Sequence, residues 1–205
     1  MKHPTDWKDG FLFVGNNLAL DFVNTCPVQD GQPMELLTEF DALLRWFQAA
    51  ELLSPRETSA LALRWRGSSK ARKAHKDLLL FRENLRSEIL RWEADRSIRP
   101  SIIDQLNRLL AEHPMLTRLK PAGLTPGTEL YFDPKQPGDL VAPLAHAAAA
   151  LFATADPTRV RKCRHCILHF QDTSKKGTRQ WCSMNLCGNR TKVAAYAERK
   201  RRASS

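Results

Sequence analysis

Four cysteines near the C-terminal end constrain this chain more than any other feature. Cys163 and Cys166 form a C-x2-C pair, Cys182 follows after fifteen residues, and Cys187 after four more. Two ligand pairs separated by roughly 15–20 residues match the spacing of a four-thiolate zinc site. The reason is reach: a C-x2-C turn sets two sulfurs about 3.5–4 Å apart, each about 2.3 Å from one tetrahedral ion. Cys26 stands alone, and an odd count with no apolar leader at Met1–Trp7 speaks against a disulfide framework and for a reducing, cytoplasmic setting. Four thiolates fill a coordination sphere, so the reading is one structural Zn2+. A mixed site, with His165 or His169 in place of one thiol, stays open.

The charge is segregated in the same way. Residues 158–205 hold 13 Lys and Arg against 2 Asp and Glu, whereas residues 1–157 hold 19 against 20. The whole +10 excess therefore sits in the last quarter of the chain, which points to a polyanionic partner. No apolar run approaches the roughly 20 residues of a membrane span.

Periodicity makes residues 1–157 one mostly helical domain. Leu36, Leu37, Phe40, Leu43, Leu44 and Phe47 fall at helical spacing within 35–53. Ser54-Pro55-Arg56-Glu57 is a capping box with Pro at the first helical position, predicting a helix over 55–66. Leu78, Phe81, Leu85, Ile89 and Trp92 form the stripe of a long helix over 70–95. Pro100 opens another, with Ile102, Ile103, Leu106, Leu109 and Leu110 inward. Residues 114–138, punctuated by Pro and Gly, read as loop with one short strand at 129–132, and 139–155 as a buried Ala/Leu-rich helix. Asp156-Pro157 reads as the start of a short helix leading to Cys163.

Residues 158–205 read as a separate module of knuckle, hairpin and helix. Leu168–Asp172 and Thr178–Cys182 are expected to pair around Thr173–Gly177, and a helix to run over 183–202 with a break near Gly188-Asn189. Phe170, Trp181, Val193 and Tyr196 supply a mini-core around the metal. The expected DNA-contacting residues are Lys175, Lys176, Arg179, Asn189, Arg190, Lys192 and Arg199, with Asn189 and Arg190 placed to read base edges.

These residues resemble a known family. Cys187-Gly188-Asn189-Arg190, preceded by Trp181-Cys182-Ser183-Met184 and Phe170-Gln171-Asp172-Thr173-Ser174, resembles the CGNR zinc finger. Leu18-Ala19-Leu20-Asp21-Phe22-Val23-Asn24-Thr25 is similar to the opening signature of the ABATE domain that precedes such fingers. Pro143-Leu144-Ala145 through Leu151-Phe152 is similar to that domain's last helix. Gln180 departs from the pattern, standing where a basic residue is common. The resemblance implies a stress-responsive bacterial transcription regulator with a helical first domain and a DNA-binding finger. It also implies Cys163, Cys166, Cys182 and Cys187 as the zinc ligands.

Within the first domain, Asp21, Asn24 and Thr25 share one helical face at i, i+3 and i+4. With Arg82 as counter-charge they are the candidate pocket for a small-molecule effector. The functional expectation is a zinc-containing DNA-binding transcriptional regulator acting on duplex DNA. The alternative is an RNA-associated or protein-interaction zinc module in which Phe170, Trp181 and Tyr196 stack on unpaired bases. A homodimer is compatible with this function, although no heptad seam is visible. No phosphate loop, nucleophile elbow, dinucleotide fingerprint or zincin helix is present, so no enzymatic role is expected.

Overall fold

A computed structural model describes residues 6–29, 31–123, 125–189, 192, 193 and 200. The fold is mainly helical, and its strands are short hairpins. Helix α1 (Leu18–Val23) is capped by Asn17, whose side chain accepts from Ala19 N. Six residues are too few to hold a helix in water. Burial of Ala19, Leu20, Asp21, Phe22 and Val23 holds it instead. Helices α2 (Phe40–Ala49) and α3 (Pro55–Trp65) follow, the latter opened by the reciprocal Ser54–Glu57 capping box expected from the sequence. Leu36 and Leu37 precede α2 rather than join it.

The long helix α4 (Ser69–Asp95) starts at the Ser68 cap and stops where Arg96 turns left-handed, at φ 57°. Its stripe of Leu78, Phe81, Leu85, Ile89 and Trp92 is buried, as the periodicity predicts. Each such side chain contributes about 1.5–3 kcal/mol on leaving water, so this stripe is the spine of the core. Glu88, fully buried on the same helix, accepts from Arg99 N at 2.7 Å and Arg99 Nε at 2.5 Å, fixing the turn into α5 (Pro100–Glu112). Ile102 and Leu106 face inward, whereas Ile103, expected inside, is exposed. Helix α6 (Val141–Thr154) buries Leu144, Ala145, Ala148 and Leu151 against α1 and α5.

Hairpin β1/β2 pairs Trp7–Lys8 with Phe11–Leu12, and β3/β4 pairs Val28–Gln29 with Gln32–Pro33. Between α5 and α6, Leu116–Lys120 (β5) and Gly127–Tyr131 (β6) form an antiparallel hairpin where a loop with one strand was expected. Residues 116–120, Leu116-Thr117-Arg118-Leu119-Lys120, do not alternate apolar with polar and are all exposed, so neither pattern nor burial gives them a strand signature to read.

The finger's strands differ from expectation as well. Asp156 caps a turn, accepting from Thr158 N at 2.8 Å, and no helix follows. The chain enters β7 (Val160–Lys162), which pairs with β8 (His169–Gln171) in the register Val160↔Gln171, Arg161↔Phe170, Lys162↔His169. Residues 178–182 are not a strand. The C-x2-C knuckle is itself the hairpin turn, so β8 takes its partner from before the first cysteine. After Ser183 comes a single wide turn, Met184–Gly188. Residues 189, 192, 193 and 200 are helical, while most of the expected C-terminal helix, with Arg190, Tyr196 and Arg199, lies outside the described residues.

Candidate metal centre and basic face

The β7/β8 hairpin builds the first half of the centre. Cys163 N donates to Leu168 O at 2.8 Å, closing the knuckle so that Cys163 and Cys166 point to one side. The second half comes from the turn after Ser183. Its hydroxyl accepts from Asn185 N at 3.0 Å and Leu186 N at 3.4 Å, which carries Cys187 back toward Cys182. The four sulfurs lie within 4.8 Å of one another, and the Cys166–Cys182 and Cys182–Cys187 pairs are 3.6 Å apart. A tetrahedral ion with bonds of about 2.3 Å needs sulfurs about 3.8 Å apart. The donor set thus fits one zinc ion held by Cys163, Cys166, Cys182 and Cys187.

Electrostatics agree with that chemistry. Without a cation the four thiols divide one another's protons. Bonds from Cys166 and Cys182 favour the thiolate at Cys163, while the same contacts push Cys166 and Cys182 up. Burial, with the neighbouring sulfurs, pushes Cys187 up to about 12. Four thiolates cannot share so small a space unless a divalent ion neutralises them. Neither histidine joins the cluster. His165 is exposed, and His169 turns its Nδ1 toward Glu93 Oε1 of α4 at 2.9 Å.

The apolar shell around the sulfurs was only partly foreseen. Phe170 is fully buried and Trp181 half-buried, as a mini-core requires, but Val193 is 68% exposed. Leu12 and Val14 take the space instead, reaching in from the first domain, together with Leu168 and Leu186. The finger's small core is therefore completed by residues about 150 positions upstream.

Polar contacts reinforce that seam. Asn24 Nδ2 donates to His169 O and its Oδ1 accepts from His169 N, both at 2.8 Å, so a side chain occupies the free edge of β8. Gln171 N donates to Gly15 O at 2.8 Å, and Asn16 Nδ2 to Gln171 O at 3.0 Å. Asp6 Oδ2 accepts from the Ser183 hydroxyl at 2.6 Å. Asp21 Oδ1 accepts from Gly15 N at 2.7 Å, holding the loop that meets β8. Burial pushes the Asp21 carboxyl up to about 7, against the opposing pull of the Gly15 amide.

The four candidate effector-pocket residues fall into two separate clusters. Asn24 bonds the finger directly, and Asp21 holds the Gly15 loop that meets it. Thr25 belongs to a different cluster, in which Arg82 donates to Thr25 Oγ1 at 3.0 Å and to both Glu35 oxygens at 2.8 and 2.5 Å. Arg82 also donates to Glu83 Oε1 at 2.8 Å, so its guanidinium is taken up by groups of the chain itself.

The basic candidates divide as well. Lys175, Lys176, Asn189 and Lys192 are exposed. Arg179 is not: its guanidinium lies 4.3 Å above the Phe170 ring and donates to Trp181 O at 2.9 Å, Val14 O at 3.0 Å and Cys182 O. It clamps the finger to the first domain. Sequence reading missed Asp6, Leu12, Val14, Asn16 and Glu93 as partners of the finger. No local pattern marks them, since each acts only after the chain has folded back.

Among the described residues, no helix is long and apolar enough to cross a membrane. A family model described as "Putative stress-induced transcription regulator", ABATE, matches residues 16–155, and a second, the CGNR zinc finger, matches residues 159–200. No curated protein matches the chain. The first model covers more than half the chain and the second supplies the four-thiol centre, so the chain belongs to the ABATE family and carries a CGNR zinc finger at its C-terminal end.

Proposed function

We propose that this protein is a transcription regulator that binds duplex DNA through its zinc-braced basic finger, and that it acts by binding rather than by catalysis. The observation that carries this reading is the division of the finger's cations. Arg179 is spent inside the structure, while Lys175, Lys176, Asn189 and Lys192 stand exposed on a segment with a large positive excess. Lysines held on a metal-braced scaffold suit phosphate contact, and an exposed Asn suits a base edge. The first domain supports this by holding the finger at a set angle through Asn24 and Arg179. Stacking on unpaired bases is less favoured because Phe170 is fully buried.

The test is a salt titration of the zinc-loaded full chain on a mixed-sequence duplex. With about six phosphate contacts, log K should fall against log salt with a slope near −5. A chain that ignores duplex DNA at low salt, or prefers structured RNA in competition, overturns the reading.

A further inference from the structure

The connector Thr173-Ser174-Lys175-Lys176-Gly177 has the composition of a loose loop, yet it is pinned on two sides. From outside, Arg159 donates to Asp172 O at 3.2 Å and Ser174 O at 2.8 Å, and Arg161 donates to Arg179 O at 3.2 Å and Gly177 O at 3.0 Å. From inside, the buried Asp172 carboxylate accepts from Ser174 N at 2.9 Å and Arg179 N at 2.8 Å. Arg161 also lies 3.7 Å from that carboxylate. Burial opposes ionisation of Asp172, but these bonds outweigh it and hold the carboxyl below its usual range.

The pinned segment ends in a tight turn in which Gly177 N donates to Ser174 O at 3.2 Å. Gly177 has φ +61°, and a Cβ there would lie 3.2 Å from the Arg159 guanidinium carbon, so glycine is needed on both counts. Lys175 and Lys176 occupy the two corners of the turn and are exposed. Two arginines in a strongly basic segment thus spend their donors on main-chain carbonyls around two lysines that, among the described residues, spend none. Arg161 forks to two carbonyls through both terminal nitrogens, a fixed geometry that an ammonium does not offer, and Arg159 bridges two carbonyls through one. Fixing a turn before binding removes the ordering cost that a loose lysine pair would meet on the ligand.

We infer that Arg159 and Arg161 are positioning residues that pre-set the Lys175–Lys176 turn as a grip for the phosphates of duplex DNA. The inference rests on the DNA-binding reading above. The arginines act through the lysines and do not themselves touch phosphate.

The experiment is a double-mutant cycle in the zinc-loaded full chain, read as salt-dependent affinity for a mixed-sequence duplex. Lys175→Gln with Lys176→Gln should lower the magnitude of the slope by about 1.8, the loss of two phosphate contacts. Arg161→Gln should weaken binding about tenfold with the slope unchanged, because the lysines still reach phosphate but from a disordered turn. In the lysine-less background, Arg161→Gln should add nothing. Arg159→Gln, which withdraws the guanidinium from the Asp172 and Ser174 carbonyls, should behave like Arg161→Gln. Zinc content is measured for each variant, and Arg161→Lys replaces Arg161→Gln if that variant loses its metal. Limited trypsin digestion should cut faster after Lys175 and Lys176 once either arginine is changed. An arginine effect that persists without the lysines, or that reduces the slope, overturns the inference. So does a slope indifferent to both lysines while the parent chain binds. A parent chain that does not bind DNA at all overturns the DNA reading itself, and the faster digestion then remains as a structural property only.

Discussion

Asn24 and His169 are bonded to each other twice, side-chain amide to main chain, across 145 residues of sequence, with both distances at 2.8 Å. Asn24 ends α1 and is fully buried, and His169 opens β8 of the finger. The first domain thereby supplies what a third strand would otherwise give to β8.

Replacing Asn24 by Ala leaves a buried N–H and C=O of His169 without partners. Each costs about 1–3 kcal/mol, so a loss of about 2–4 kcal/mol is expected, seen as a fall in the urea midpoint. Asn24→Asp keeps the acceptor and loses the donor, and should fall between the two. Unchanged stability in Asn24→Ala would show the seam to be slack.

Asp21 couples this seam to pH. Its folded value of about 7 lies above the usual carboxylate range, so the folded chain holds a proton that the unfolded chain has lost. Stability from this group is greatest below about pH 4 and declines as pH rises toward 7, by at most about 1.4 kcal/mol per unit. Asp21→Asn keeps an acceptor for Gly15 N and removes the charge. It should flatten the melting temperature between pH 5 and 7.5 and raise it at pH 8. A parent chain whose stability rises through that window would contradict this.

Gly15 should be intolerant of substitution for a related reason. A Cβ there would meet Leu20 Cβ at 2.8 Å and Asp21 N at 2.9 Å, both on α1. Gly15→Ala is expected to cost about 1–3 kcal/mol by overpacking, measured in the same unfolding assay.

Arg82→Met strands Glu35 on a half-buried face and removes the donor to Thr25. Buried ion pairs broken on one side cost about 3–5 kcal/mol, and Glu35 here is a third exposed, so about 2–3 kcal/mol is expected. Arg82→Lys should recover little, because an ammonium cannot serve both Glu35 oxygens and Thr25 together. A full recovery in the lysine variant would refute the bidentate role.

Chelation should release more than the finger. Structural zinc contributes about 10–16 kcal/mol to small peptides, and here the metal also holds β8 in reach of Asn24. Trp181 fluorescence should shift on metal loss. Most helical signal should survive at 25 °C, but the first domain should melt at a lower temperature than in the loaded chain. An unchanged helical melt would mean that the two parts are energetically independent.

Several features were legible in residues alone because their causes are local. The thiol spacing encodes a tetrahedral reach, the Ser54–Glu57 box encodes a helix start, and the stripe from Leu78 to Trp92 encodes one buried face. Other features depend on which distant segment arrives as partner. Leu168–Asp172 was expected to pair forward with 178–182, whereas β8 pairs backward with Val160–Lys162, because strand propensity marks candidates and not their mates. The polar face of α1 looked like a pocket since a buried Asp and Asn need partners, and local sequence shows the need without the supplier. The supplier for Asn24 is the finger, brought there by folding, and the supplier for Asp21 is the amide of Gly15. Arg179 likewise counts as a surface cation in any tally of charge, and only its burial over Phe170 against Val14 O turns it into a clamp. Local chemistry thus determined the metal site and the helices. The tertiary structure decided that Leu12 and Val14 complete the finger's own small core and that Asn24 covers the free edge of β8, because buried polar groups must be satisfied by whatever the fold places beside them.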